Sequence, residues 1–212
     1  MKRISVIAAL AICMVWPLSL AAFGPEKAVD RPSPVSLPLQ IDEIALSSIF
    51  FRWNAAHDAD TLLLSCMDFR LIASVEKYMA NNTKTGEYDY VVLAGASLGV
   101  NNTTYPEWGL SFWEHVQLSR DLHNIKNIMI IDHRNCGAYK AFLKDDFPEK
   151  ATKAQLTDET AAHKKQLDLL ANAIHAKYPF LGVQTRLMAL DGTVMDIGNT
   201  PGTGAFPAPT SH

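Results

Sequence analysis

Short apolar runs alternate with segments of helical periodicity along most of the chain. The runs occupy residues 61–65, 90–94, 128–132 and 183–190, and a further run at 193–197 follows an Asp-Gly turn. Continuous apolar runs of this length are typical of strands that are buried on both faces of a parallel sheet. The Asp-Gly turn predicts that the last two runs form a hairpin.

The segments between the runs carry the spacing of amphipathic helices. We predict helices over residues 42–54, 71–81, 111–124, 137–143 and 157–178. Because strands alternate with helices, the sequence predicts an α/β fold. Its centre is a mostly parallel sheet of four to five strands, flanked by helices.

The N-terminus has the layout of a secretory signal peptide. Lys2 and Arg3 precede an apolar run over residues 4–20, and Ala21 and Ala22 supply the small residues at which cleavage is expected. The alternative is an uncleaved membrane anchor, because the run has a borderline length for a membrane span. We predict a periplasmic or secreted protein with no stable membrane anchor after cleavage.

Composition and the positions of Pro, Gly and small polar residues divide the chain into four parts. We predict a signal peptide over 1–22, an extended Pro-rich lead-in over 23–40, one folded domain over 41–198, and a disordered tail over 199–212. Apolar residues make up 48% of the chain and charged residues 19%, an ordinary globular balance. The formal net charge is -3, so the composition shows no excess of basic residues that would indicate a nucleic-acid-binding surface.

Residues with reactive side chains follow two of the predicted strands directly. Cys66 begins a Cys-Met-Asp-Phe-Arg segment after the first strand, whereas His133 and Cys136 follow the third strand. Sites in open α/β sheets form at the carboxyl ends of the strands, so these side chains are expected to meet. In an extended chain Asp68 and Arg70 would project on the same side as Cys66.

Two thiolates and one imidazole form a recognised catalytic zinc set with an open fourth position. Sulfur ligands favour zinc over magnesium or calcium. We therefore predict one Zn²⁺ per chain, held by Cys66, His133 and Cys136. The alternatives are a disulfide between the two cysteines, which an exported protein could form, or two buried thiols. For Asp68 and Arg70 the alternative is a surface ion pair.

Taken together, the Cys-x-Asp-x-Arg and His-x-x-Cys-Gly motifs resemble the signature of the β-class carbonic anhydrases, and the likeness runs over residues 61–197. The resemblance implies reversible hydration of CO2 to bicarbonate by a zinc-bound hydroxide. It implies that Asp68 accepts a hydrogen bond from the zinc-bound water or hydroxide and that Arg70 holds Asp68 in place. It also implies a homodimer, or a dimer-based oligomer, with the site near the interface.

Three features depart from the common pattern of that family without touching the predicted ligands. Phe69 stands where many members carry Ser, and Asp132 stands where many carry Gly. The turn over residues 93–97 lacks the Arg-Asn start that is common in that segment. These differences concern the shape of the CO2 pocket and the path by which a proton leaves.

Two other functions are compatible with the same motifs. Carbonyl sulfide and carbon disulfide hydrolases resemble the family and share its ligand set. A non-catalytic zinc protein is the other alternative, although a purely structural site needs four closed ligands and no Asp–Arg pair. Some family members close at low pH, when the aspartate leaves its arginine for the metal, and Asp68 and Arg70 make such a closure possible here.

Overall fold

The computed structural model describes residues 58–82 and 88–203. The predicted signal peptide, the Pro-rich lead-in and the first predicted helix lie outside the described residues. Among the helices that are described, none combines the length and apolar character required to cross a membrane.

A five-stranded sheet forms the centre of the described domain. Its strands are β1 (Thr61–Ser65), β2 (Tyr88–Val92), β3 (Asn127–His133), β4 (Gly182–Met188) and β5 (Val194–Thr200). Their order is β2-β1-β3-β4-β5. The first four strands pair in parallel, whereas β5 pairs antiparallel with β4. The predicted mostly parallel sheet with a final hairpin is thereby confirmed.

Five α-helices are described between and beside the strands. They are α1 (Ile72–Asn82), α2 (Ser97–Val100), α3 (Pro106–His123), α4 (Gly137–Leu143) and α5 (Lys153–Lys177). Two of them begin before their predicted starts, α3 because Pro106 suits a first helical turn and α5 because Thr152 forms a capping box. The four-residue helix α2 has no amphipathic period and was not predicted.

Alternation along the strands divides the core between the two faces of the sheet. Leu62 and Leu64 of β1 belong to one buried cluster with side chains from α3 and α5. Leu63 between them belongs to a second cluster, with Val75 and Met79 of α1. Because successive side chains of a strand point to opposite faces, a continuous apolar run is required where both faces are covered.

The C-terminal boundary of the domain lies beyond the predicted one. Asn199 and Thr200, assigned to a disordered tail from the sequence, belong to β5 and pair with Gln184 and Val183. Thr203 also donates its N–H to the carbonyl of Pro179, at 2.6 Å. Backbone pairing with β4 orders these residues, and composition does not reveal such pairing.

We expect Leu167→Ala to destabilise the domain by about 2–5 kcal/mol, since it removes a fully buried side chain from the core beneath α5. Leu169→Ala is the matched control on the same helix, where the side chain is 55% exposed, and it should cost less than about 0.5 kcal/mol. Urea unfolding of both variants measures the difference. Equal losses would contradict the assignment of the buried face of α5.

Candidate metal centre

Parallel pairing of β1 with β3 brings the predicted metal ligands together. Cys66 comes directly after β1, His133 is the last residue of β3, and Cys136 caps the N-terminus of α4. Their ligand atoms all lie within 4.8 Å of one another. The two Sγ atoms are 3.9 Å apart and both cysteines are free thiols, so the predicted ligands converge without forming a disulfide.

The His133 ring is oriented for ligation through Nε2. Its Nδ1 lies 2.8 Å from the carbonyl oxygen of Arg134 and donates to it. Nε2 is buried and has no hydrogen-bond partner among the described residues. A buried polar atom without a partner is costly, and a metal ion between this nitrogen and the two sulfurs would satisfy it. The donor set therefore fits a sulfur-preferring divalent cation.

The two thiols have opposite tendencies to ionise. The hydrogen bond from Cys136 lowers the pKa of Cys66 well below its ordinary value despite burial, and His133 and the Gly95 N–H act in the same direction. That hydrogen bond, together with burial, raises the pKa of Cys136. These contacts favour the thiolate at Cys66, which is the form in which a cysteine binds a metal ion.

A turn with positive φ angles places the Gly95 amide next to the Cys66 sulfur. Gly95 and Ala96 have φ values of 81° and 44°, and the Gly95 N–H lies 3.3 Å from the Cys66 sulfur. The next residue, Ser97, donates its N–H and its hydroxyl to the buried Asp132 carboxylate, at 3.0 and 2.6 Å. Positive φ at Ala96 is unfavourable, so these bonds to Asp132 hold the turn in place.

Asp132 is the centre of a buried polar network beside the ligands. Tyr139 of α4 and His163 of α5 each place a polar atom 3.0 Å from its carboxylate. Burial and this carboxylate raise the pKa of Tyr139, so its hydroxyl remains a hydrogen-bond donor. Asp132 thus connects β3 to α4, the helix that begins after Cys136.

Asp68 and Arg70 reach the centre through a turn rather than an extended strand. The chain enters a 3₁₀ turn at Phe69–Leu71, and the Asp68 carboxylate caps it by accepting the Arg70 N–H at 3.0 Å. The Arg70 guanidinium binds both carboxylate oxygens, at 2.9 and 2.6 Å. This contact lowers the pKa of Asp68 to about 2. Asp68 Oδ2 lies 3.8 Å from His133 Nε2.

Two residues that contact this centre were missed by the sequence analysis. Asn135 accepts hydrogen bonds from Arg70, and the buried Glu159 accepts the Asn135 N–H. One signal for Asn135 was available, because it lies between two predicted ligands and asparagine tolerates positive φ. No signal marked Glu159, which lies in the regular pattern of α5.

An open cavity of about 750 Å³ adjoins the two cysteines. Its wall is largely apolar and includes the following side chains and backbone: Met67, Phe69, Ala94, Gly95, Ala138, Ala141, Phe142 and Phe147. Asp68 and Arg70 lie on the same wall. A small apolar molecule in this cavity can approach the ligand atoms with an ionised carboxylate beside it.

Residues 56–174 match the family model described as "Putative carbonic anhydrase". The chain is also 41% identical over 141 residues to an uncharacterized protein of Rickettsia bellii (strain RML369-C), covering 66% of this chain and 83% of that protein. These matches define the class: the chain belongs to the carbonic anhydrase family that the model describes. The resemblance to carbonic anhydrases inferred from its motifs is thereby confirmed.

Similar solved structures have low sequence identity to the chain. One is a tetrameric β-carbonic anhydrase of Sordaria macrospora, 14% identical with a TM-score of 0.39, covering 74% of this chain and 94% of that one. Another is the apo form of a carbon disulfide hydrolase, 10% identical with a TM-score of 0.40, covering 72% and 87%.

We expect Gly95→Ala to destabilise the protein by about 1–3 kcal/mol, because a Cβ at this positive-φ position would lie 2.8 Å from the Ala138 Cβ. Gly137→Ala is the control at the start of α4, where an added Cβ meets nothing within 4 Å. It should change the stability by less than about 1 kcal/mol. Thermal unfolding compares the two variants, and a tolerated Gly95→Ala would show that the turn has no such constraint.

Proposed function

We propose that the protein is a zinc-dependent carbonic anhydrase that interconverts CO2 and bicarbonate. The observation that carries the proposal is the convergence of two free thiols and an unpartnered imidazole nitrogen beside an arginine-held carboxylate. Membership of the carbonic anhydrase family supports it.

Cys66, His133 and Cys136 would hold the zinc ion, because two sulfurs and one imidazole leave a fourth position open for solvent. When bound, zinc supplies a Lewis acid that makes water a nucleophile near neutral pH. The Gly95 N–H bond to the Cys66 sulfur stabilises the thiolate form that such a cation requires.

Asp68 is proposed to orient the attacking water. Its low pKa keeps the carboxylate ionised, so that it can only accept hydrogen bonds. Arg70 neutralises its charge and fixes its plane through two parallel hydrogen bonds. Asp68 therefore aligns a water that donates to it and leaves a lone pair of that water directed at the substrate.

The apolar wall of the cavity suits CO2, which has no charge and no hydrogen-bond donor. Ala94, Ala138 and Phe142 offer it contact without competing polar groups. Bicarbonate, the charged product, interacts more weakly with this wall, and the openness of the cavity lets it leave to water.

A second copy of the chain is the proposed partner. Met67 and Phe69 are exposed apolar residues on the cavity wall, and the nearby Ile72 is exposed as well. β2, an edge strand of the described sheet, also exposes Tyr90 and Val92. Exposed apolar surface and an edge strand are typical of an interface. We propose a homodimer that covers this surface.

The proposed location is the periplasm or the cell exterior. The proposal rests on the basic start, apolar run and small residues of segment 1–22, which lies outside the described residues.

We expect the purified protein to contain one zinc per chain and to hydrate CO2. Cys66→Ser and Cys136→Ser should lose zinc, because each removes a ligand. Asp68→Asn should keep zinc and lose about 10²-fold in kcat/KM. An asparagine amide can donate a hydrogen bond as well as accept one, whereas only a group that accepts from the water orients it. Elemental analysis and stopped-flow hydration assays measure both. Unchanged hydration in Asp68→Asn, or sulfide release from COS or CS2 with no CO2 hydration above buffer, would contradict the proposal.

We expect Ile72→Glu to shift the protein from dimer to monomer, because it introduces a charge into the proposed apolar interface. Leu169→Glu is the matched control, since its side chain is 55% exposed against 53% for Ile72 but lies on α5. Sedimentation velocity distinguishes the species. A monomeric wild-type protein, or a dimer that both variants leave intact, would contradict this interface.

A further inference from the structure

Arg70 has a second partner besides Asp68. Its Nη1 donates to the side-chain oxygen of Asn135 at 2.8 Å, and its Nη2 donates to the backbone oxygen of the same residue at 3.2 Å. Asp68 occupies the Nε edge of the guanidinium, so the two residues hold both edges. Asn135 belongs to the loop that carries two predicted ligands, one on either side of it.

Asn135 is itself held by contacts to two other parts of the chain. Its φ of 55° is a left-handed conformation that asparagine tolerates better than most residues. Its N–H lies 2.6 Å from a carboxylate oxygen of the buried Glu159, and its side-chain N–H lies 2.7 Å from the carbonyl of Phe147. Glu159 is fixed in turn by an ion pair with Arg134, at 2.9 Å. Asn135 therefore presents its two oxygens to Arg70 from a rigid position.

The second partner matters because the ion pair fixes Asp68 relative to Arg70 but does not fix the two together relative to the rest of the protein. The side chain of Arg70 is 33% exposed, and a long, partly exposed side chain has several conformations available to it. With Asn135 on the other edge, the guanidinium has a single plane available to it. That plane sets the position of the Asp68 carboxylate relative to His133 Nε2.

We propose that Asn135 is a positioning residue that fixes Arg70 and, through it, aims the Asp68 carboxylate at the metal centre. The catalytic consequence rests on the proposed carbonic anhydrase activity. The geometric consequence does not, because it concerns the surroundings of any metal ion bound by the three ligands.

The test compares three asparagine variants with Arg70→Ala and with Arg70→Ala combined with Asn135→Gly, each as zinc-loaded and Co²⁺-substituted full-length protein. Asn135→Gly keeps the positive φ and removes the side-chain acceptor, whereas Asn135→Asp keeps an oxygen for Arg70 and removes the donor to Phe147. Asn124→Gly is the matched control, because Asn124 has a φ of 56° at the C-terminus of α3, in another part of the fold. Should Asn135→Gly not fold, Asn135→Ser, whose hydroxyl is too short to reach Arg70, replaces it.

We expect Asn135→Gly to lower kcat/KM about tenfold and to change the visible Co²⁺ spectrum in the same way as Arg70→Ala. Asn135→Asp should restore kcat/KM to within about threefold of wild type, together with the wild-type spectrum. Asn124→Gly should match wild type in both. Because Asn135 acts through Arg70, adding Asn135→Gly to Arg70→Ala should change neither quantity further.

The proposal is overturned if Asn135→Gly matches Asn124→Gly, if Asn135→Asp is as impaired as Asn135→Gly, or if the effects of Asn135→Gly and Arg70→Ala multiply. A wild-type protein without hydration activity would refute the proposed function alone. The Co²⁺ spectra of the same variants would then still decide whether Asn135 positions Arg70 and Asp68.

Discussion

The parallel pairing of β1 with β3 is the constraint on which the candidate metal centre depends. Ser65 pairs with Ile131, so the residue after β1 and the last residue of β3 emerge at the same edge of the sheet. Cys66 and His133 occupy those two positions, and the turn into α4 returns Cys136 to them. A shift of register by one residue would displace Cys66 by about 3.3 Å along β3 and change its distance from His133.

Buried polar contacts then fix the loops that the sheet leaves free. Asp132 ties the strained turn at Gly95 and the helix after Cys136 to the end of β3. On the other side, Glu159 holds Asn135 in its left-handed conformation. These carboxylates restrain the candidate ligands and would not compete for an ion, since their oxygens are occupied by hydrogen-bond donors.

The sequence predicted the structure best where reactive side chains directly follow apolar runs. The buried strands, their alternation with helices and the convergence of Cys66, His133 and Cys136 could be predicted, because apolar runs that alternate with helical periodicity are typical of a parallel sheet whose strand ends meet at one edge. The 3₁₀ turn that Asp68 caps could not be predicted. An extended chain would also place Cys66 and Arg70 on one face, so the spacing of these residues does not distinguish the two conformations. The conformation of Asn135 depends on Glu159, a residue distant in sequence, and no local pattern records that contact.

X-ray absorption at the zinc edge of the purified full-length protein tests whether Cys66, His133 and Cys136 bind zinc. We predict one zinc with two sulfur ligands at about 2.3 Å and one imidazole nitrogen at about 2.0–2.1 Å, with light-atom scattering from solvent in the fourth position. A zinc environment of oxygen and nitrogen alone, or a zinc-free protein whose two sulfurs are bonded to each other, would contradict it.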